Sequence, residues 1–235
     1  MKKLFIPLLF LALVPLLFSC SASRFGGYNL TERDAAAAIR QLLEIGTRDG
    51  ATAGFSKDEV LSAVFPAPLK KALNTLQQLG LTNEIDRFTT TLSTASAKSA
   101  ERSVPVFVNA IQNMPMTDAV RIIKSGGTAA TDYLRSTSGT DLRKAMTPTM
   151  QTALDEYKLN EQWEKIIKPV KGLSGDKLNI DLATLMAGMV SEKMFRNMEE
   201  KEKQVRADAA ARSTSLLKKV FSRNWNDTRS TASRK

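Results

Sequence analysis

Histidine is absent from all 235 residues, and cysteine occurs once, at Cys20. The first absence removes the usual general base, the Ser-His-Asp arrangement and the commonest metal ligand. The second removes any intramolecular disulfide and any cysteine-built zinc site. No P-loop or dinucleotide fingerprint occurs, and Gly126-Gly127 alone reads as a helix break. Aromatics make up only 6% of the chain, and no basic stripe is interleaved with them. Single-stranded nucleic acid needs that interleaving, so nucleic acid is not an expected partner. No run alternates apolar and polar residues as a half-buried strand does. No metal and no cofactor are expected.

Carboxylate chemistry survives these exclusions, because two Asp or Glu side chains suffice for glycoside hydrolysis. Asp118, Asp132, Glu199 and Glu200 are the candidates, but no spacing singles out a pair. A carboxylate-dependent hydrolase acting on cell-wall glycan is therefore the alternative reading, and a non-enzymatic protein the leading one.

The N-terminus explains the lone cysteine. Lys2 and Lys3 precede an uncharged run from Leu4 to Phe18. That run falls short of the ~20 residues a spanning helix needs, and its flanks fit an export signal. Leu17-Phe18-Ser19-Cys20 resembles a bacterial lipobox. The resemblance implies a signal peptide over 1–19, cut before Cys20, with Cys20 carrying lipid. Two or three acyl chains hold where one would not, since each buried CH₂ contributes ~0.8 kcal/mol. Ser21, in place of an Asp after the cysteine, resembles the sorting signal of enteric bacteria for the outer membrane. The expected location is the periplasmic side of a membrane, with the membrane itself as first partner. An envelope protein, a lipid or the cell wall is the expected second partner.

Removing Lys2 and Lys3 from the 34 basic residues leaves 32 against 24 acidic ones, a formal charge of +8. These charges are mixed along the chain, which suits a solvated surface. Residues 20–29 read as a flexible tether. Residues 30–221 read as one helical domain, and 222–235 as a basic, frayed tail. The fold class expected is all-α, a compact bundle of short amphipathic helices without a sheet.

Apolar stripes and punctuation place the helices. Thr31 caps the first, with Ile39, Leu42, Leu43 and Gly46 on its stripe, and a loop follows from Thr47 to Phe55. Ser56 and Glu59 form a capping box for a second. Leu69, Leu73 and Leu76 line a third, which Gly80 ends in a left-handed cap. Ile85, Phe88 and Leu92 mark a fourth, whose Ser/Thr-rich continuation has weak helix propensity. Pro105, Thr117, Thr128, Thr140, Asn160, Asp181 and Asp208 read as further helix starts, with Pro148 a kink or another start. The 168–179 stretch reads as the longest loop.

Two clusters stand out. Glu199, Glu200 and Glu202 lie just before Arg206 and Arg212. Glu202 and Arg206 are four apart and pair on one face, while Arg212 is placed to fold back on Glu199 or Glu200. The set reads as an ion network between two helices, or as a spot where arginine grips an anion. Met186, Met189, Met194 and Met198 share one long helix, as core packing or as a soft apolar pocket.

The segments "LTERDAAAAIRQLLEIGT", "FPAPLKKALNTLQQLGL", "VPVFVNAIQNMPMTDAVRIIKSGGTAATDYLR" and "EEKEKQVRADAAARSTSLLKKVF" resemble, in this order, the bacterial domain-of-unknown-function family 4197. The resemblance covers about residues 30 to 221. It implies an exported helical protein and brings no catalytic residue with it. It marks Asp118, Gly126, Gly127, Thr131 and Tyr133 as a helix joint and a candidate binding edge.

Overall fold

The computed structural model describes residues 30–117, 119–171 and 180–225. The expected signal peptide with Cys20, the tether, Asp118, most of the 168–179 loop and the end of the basic tail lie outside the described residues. Among the described residues the chain is all-α, with nine α-helices, one 3-10 turn and no strand. They are α1 (Glu32–Ala51), α2 (Lys57–Val64), the 3-10 turn (Ala67–Leu69), α3 (Lys70–Gln78), α4 (Thr82–Asn113), α5 (Ala119–Ser125), α6 (Ala129–Glu156), α7 (Leu159–Ile167), α8 (Leu182–Ala207) and α9 (Ser215–Ser222).

Local chemistry sets several ends. Thr31 with Asp34, and Ser56 with Glu59, close reciprocal capping boxes on α1 and α2. After α3, Gly80 adopts φ 83°, Leu81 N–H donates to Leu76 C=O and Gly80 N–H to Gln77 C=O. These two bonds satisfy carbonyls that a helix end leaves orphaned, and the positive φ suits glycine. Asp181 accepts from the Ala183 and Thr184 amides at the start of α8.

Four long helices form the centre. α1 packs on α4 and α8, and α6 packs on the same two. Arg40 reaches Met114 while Phe55 meets Ser93, so α1 and α4 run antiparallel. Gly46 faces Met198 and Gly50 faces Asn197, Thr131 faces Glu202 and Gly139 faces Phe195, so α8 runs opposite to both α1 and α6. The result is an up-down-up-down ring. One end gathers Leu30, α5, the α5–α6 joint and α9. At the other, Trp163 of α7 packs between Phe65 and Phe88.

Three helices are longer than the sequence suggests. α4 runs 32 residues, straight through the Ser/Thr stretch and Pro105. The exposed hydroxyls of Thr90, Thr91 and Thr94 donate to carbonyls four residues back, which keeps them from competing with the helix. Ala95, Ser96, Ser99, Ala100 and Ser103 make a small-residue buried face where neighbours approach closely. Pro105 is exposed, so the carbonyl it leaves unpaired faces water, while Phe107 and Ile111 hold the helix to the core. α6 likewise runs 28 residues through Thr140 and an exposed Pro148, held by buried Leu142, Met146 and Met150. α1 continues to Ala51, because Gly50 is buried against Asn197.

Two expected caps fall elsewhere. Thr214, not Asp208, caps α9, accepting from Leu217 N–H, while Asp208 accepts from Ala210 N–H in the turn after α8. α7 begins at Leu159 after a left-handed Lys158, so Asn160 lies inside it.

Candidate functional site

The α5–α6 joint is where the family-like segments and the charged cluster meet. Gly126 and Gly127 adopt φ 70° and 55°, so two successive residues are left-handed. Glycine alone does this without strain. The turn leaves two helix ends facing α8, and the start of α6 carries no side-chain cap of its own. Thr128, at the start of α6, makes no side-chain cap bond, and position 131 holds Thr where a capping box needs Glu or Gln.

Glu202 of α8 supplies the missing cap. It is fully buried, and its Oε1 accepts from Ala130 N–H at 3.0 Å. Its Oε2 accepts from Thr131 N–H at 2.8 Å and from Thr131 Oγ1 at 2.7 Å. A carboxylate at this position also meets the positive end of the α6 dipole. One turn on, Arg206 donates to Glu202 Oε1 from Nε at 2.9 Å and from Nη2 at 2.8 Å. The same guanidinium donates to Ile123 C=O at 2.8 Å and Ile122 C=O at 3.2 Å, carbonyls in the last turn of α5. The i,i+4 pair thus bridges the end of one helix and the beginning of the next. The other end of α5 is capped from outside too, where Val120 N–H donates to Glu32 of α1 at 3.0 Å.

Arg212 does not fold back on Glu199 or Glu200. It is buried and donates to Val205 C=O at 2.9 Å and Arg206 C=O at 3.1 Å, with Ser222 Oγ at 2.9 Å as third partner. The last carbonyls of α8 attract the guanidinium, because an orphan helix C-terminus is nearer than either carboxylate. Glu199 pairs instead with Arg135 of α6, which also meets Glu192 at 3.4 Å, Asp132 at 3.9 Å and the Phe195 ring at 4.9 Å. Glu200 is exposed. Tyr133 donates its hydroxyl to Pro115 C=O at 2.8 Å, tying α6 to the α4–α5 connection. Thr131 belongs to the Glu202 cap, whereas Asp118 lies outside the described residues.

Met186, Met194 and Met198 are buried in the core. Met189 is half-buried and lines an open cleft of about 630 Å³ between α2 and α8. On its rim, a hydrogen bond from Lys193 and another from the Ser56 amide hold the Glu59 carboxyl below its ordinary range. Asp181 is likewise held down, by the Thr184 hydroxyl, the Thr184 amide and the Ala183 amide. A second cleft, of about 290 Å³, opens at the joint between Gly126-Gly127, Arg206, Phe221 and Trp225. Among the described residues, no cluster of Asp, Glu, His or Cys suits a metal ion. No described helix is long and apolar enough to cross a membrane.

The family described as "Protein of unknown function (DUF4197)" matches residues 29–222. The chain belongs to the DUF4197 family. No curated protein and no solved structure matches it. The DUF4197 match takes in α1 through α9, so it includes both halves of the joint, α5–α6 and α8. Sequence spacing identifies the Glu202–Arg206 pair but not its backbone partners, which lie more than 70 residues away. The one signal that points to them is negative: α6 starts at Thr128 without a capping box.

Proposed function

We propose that this chain is an exported bacterial lipoprotein, anchored by lipid on Cys20, whose helical domain is a non-enzymatic binding module of the cell envelope. The lipobox-like Leu17-Phe18-Ser19-Cys20 carries the proposal. A positively charged start, a short apolar body and a small residue before the cut describe an export signal, and the cysteine that follows resembles the lipid-bearing position of a lipobox. The second half of the reading draws on the bonding of the polar cluster. Both Glu202 oxygens are taken by backbone amides, a hydroxyl and Arg206, and Glu199 is taken by Arg135. Side chains bonded in this way position helices. The outer membrane is the proposed destination, and an envelope protein, lipid or wall component the proposed partner.

Substituting Cys20→Ser tests the anchor. The wild-type chain should incorporate radiolabelled palmitate in a bacterial host and migrate as a processed form. The Ser variant should take up no label and persist as precursor. Equal processing of both chains, without label in either, would refute the anchor.

A further inference from the structure

A cleft of about 350 Å³ lies in the groove between the second half of α4 and the first half of α6. Val106, Asn109, Ala110 and Asn113 form its α4 wall, spaced as one helix face. Small side chains at Ala110, Ser138 and Ala145 leave the space open, and buried Met114 and Leu142 give it an apolar base. Pro115 lines one end, held to α6 by the Tyr133 hydroxyl. Both walls are helices of the central ring, so the cleft is preformed on rigid elements.

The polar groups around this base have bonding capacity left over. Asp141 is the one charged residue among the described residues that line the cleft, and its carboxylate has no hydrogen-bond or ion-pair partner among them or elsewhere in the described chain. The bases on the same two helices do not answer it: Arg102 is taken by Glu156 and Arg135 by Glu192 and Glu199, while Arg143 and Lys144 lie outside the cleft. The Asn113 side-chain nitrogen donates to Asn109 C=O at 2.9 Å and to Asn109 Oδ1 at 3.0 Å. Asn113 Oδ1 and Asn109 Nδ2 keep no partner among the described residues. Ser138 Oγ meets only Thr137 Oγ1, at 3.4 Å. A carboxylate, two amides and a hydroxyl thus surround an apolar base.

We propose that this cleft binds an N-acetylhexosamine unit of a glycan without cleaving it. A sugar ring has C–H faces and a hydroxyl edge, and an apolar base with a few convergent polar groups matches both. The Asp141 carboxylate accepts from ring hydroxyls, and such charge-assisted bonds are the strong ones. The free Asn109 N–H and Asn113 C=O are the complement of an acetamido group, which offers one acceptor and one donor. The acetyl methyl then packs on the apolar base. Glycoside hydrolysis takes a pair of carboxylates, and Asp141 has no second one among the described lining residues. The proposal deepens the envelope-binding reading and rests on it only for the source of the sugar, the wall glycan.

The test uses the full chain in deuterated neutral detergent and saturation-transfer NMR. Diacetylchitobiose, a disaccharide of N-acetylglucosamine, should receive saturation, most strongly at an acetyl methyl, with the millimolar affinity of a small ligand in an open cleft. Cellobiose, which lacks the acetamido groups, should bind about tenfold more weakly or not at all. Asp141→Asn should weaken diacetylchitobiose binding about tenfold, the share of one hydrogen bond to a charged group. Asp141 is exposed, so the fold should survive the change. If that variant loses helical signal, Ala145→Phe, also at an exposed position, fills the cleft instead and should abolish binding. No transfer, equal affinity for cellobiose, or unchanged affinity in the variants would overturn the proposal. Stronger transfer to ethanolammonium than to the disaccharide would overturn it in favour of an amine on Asp141, and release of free N-acetylglucosamine would overturn binding without cleavage. Intact mass of the same sample reports acylation separately, so failure of the anchor and failure of the sugar site are read independently.

Discussion

Removing the Glu202 carboxylate should be among the most damaging single changes in this chain. The carboxylate is fully buried and accepts five hydrogen bonds, two from backbone amides, one from a hydroxyl and two from Arg206. Glu202→Ala leaves a guanidinium without its counter-charge in the interior, a situation that typically costs about 3–5 kcal/mol. For a chain of this length that corresponds to a fall in Tm of roughly 6–20 °C. The assay is urea unfolding followed by far-UV circular dichroism, with Trp163 fluorescence as a second probe. The double variant Glu202→Leu/Arg206→Leu is the more discriminating measurement. Where two buried ions bond only to each other, apolar replacement of both is often neutral or stabilising. Here replacement also orphans the Ala130 and Thr131 amides and takes the Arg206 donors from the Ile122 and Ile123 carbonyls. Buried groups left unpaired cost about 1–3 kcal/mol each, so the double variant should stay destabilised. A loss below about 1 kcal/mol for Glu202→Ala, as for an exposed pair, would refute the capping argument. So would a double variant as stable as wild type.

Three further outcomes follow from the packing. Gly46→Ala would place a Cβ 3.0 Å from Met198 Cγ and 3.1 Å from Met198 Cα, so α1 and α8 must separate. Overpacking of this kind costs about 1–3 kcal/mol and should lower the urea midpoint without changing the slope. Gly127→Ala meets no neighbour but must hold φ 55°, so it should cost about 1–2 kcal/mol through the backbone alone. A neutral result at either glycine would contradict the stated cause. Asp181→Ala should cost about 1 kcal/mol at pH 7 by removing the α8 cap. The folded Asp181 carboxyl titrates below its unfolded value of 3.8, so its contribution is complete above that value and is lost as pH falls through the depressed one. Stability curves of wild type and variant should therefore converge in acid, and a gap that is constant down to pH 2 would count against this assignment.

Much of this fold was legible where local chemistry decides. Thr31 with Asp34, Ser56 with Glu59, Gly80 and Asp181 mark ends that the structure places where the sequence puts them. Pro105, Thr140 and Pro148 misled for a shared reason: the burial of Phe107, Ile111, Leu142 and Met146 on the opposite face holds α4 and α6 straight, and no local window contains their partners. Arg212 misled because a charge seeks the nearest uncompensated acceptor, which here is the carbonyl end of α8 rather than a carboxylate. The Glu202–Arg206 spacing was visible, but its task was not, since the two helix ends it bridges come from residues 119–131. The long-range partners of a buried ion pair are set by tertiary packing, and spacing along one helix carries no trace of them.

Cys20 as a lipid-bearing residue is the central claim, and intact mass spectrometry of the protein purified from its own membranes addresses it directly. The account predicts a chain beginning at Cys20, heavier than its polypeptide by a diacylglycerol and an amide-linked acyl group. A chain that still begins at Met1 with an unmodified thiol, or a cleaved chain without added mass, would contradict it.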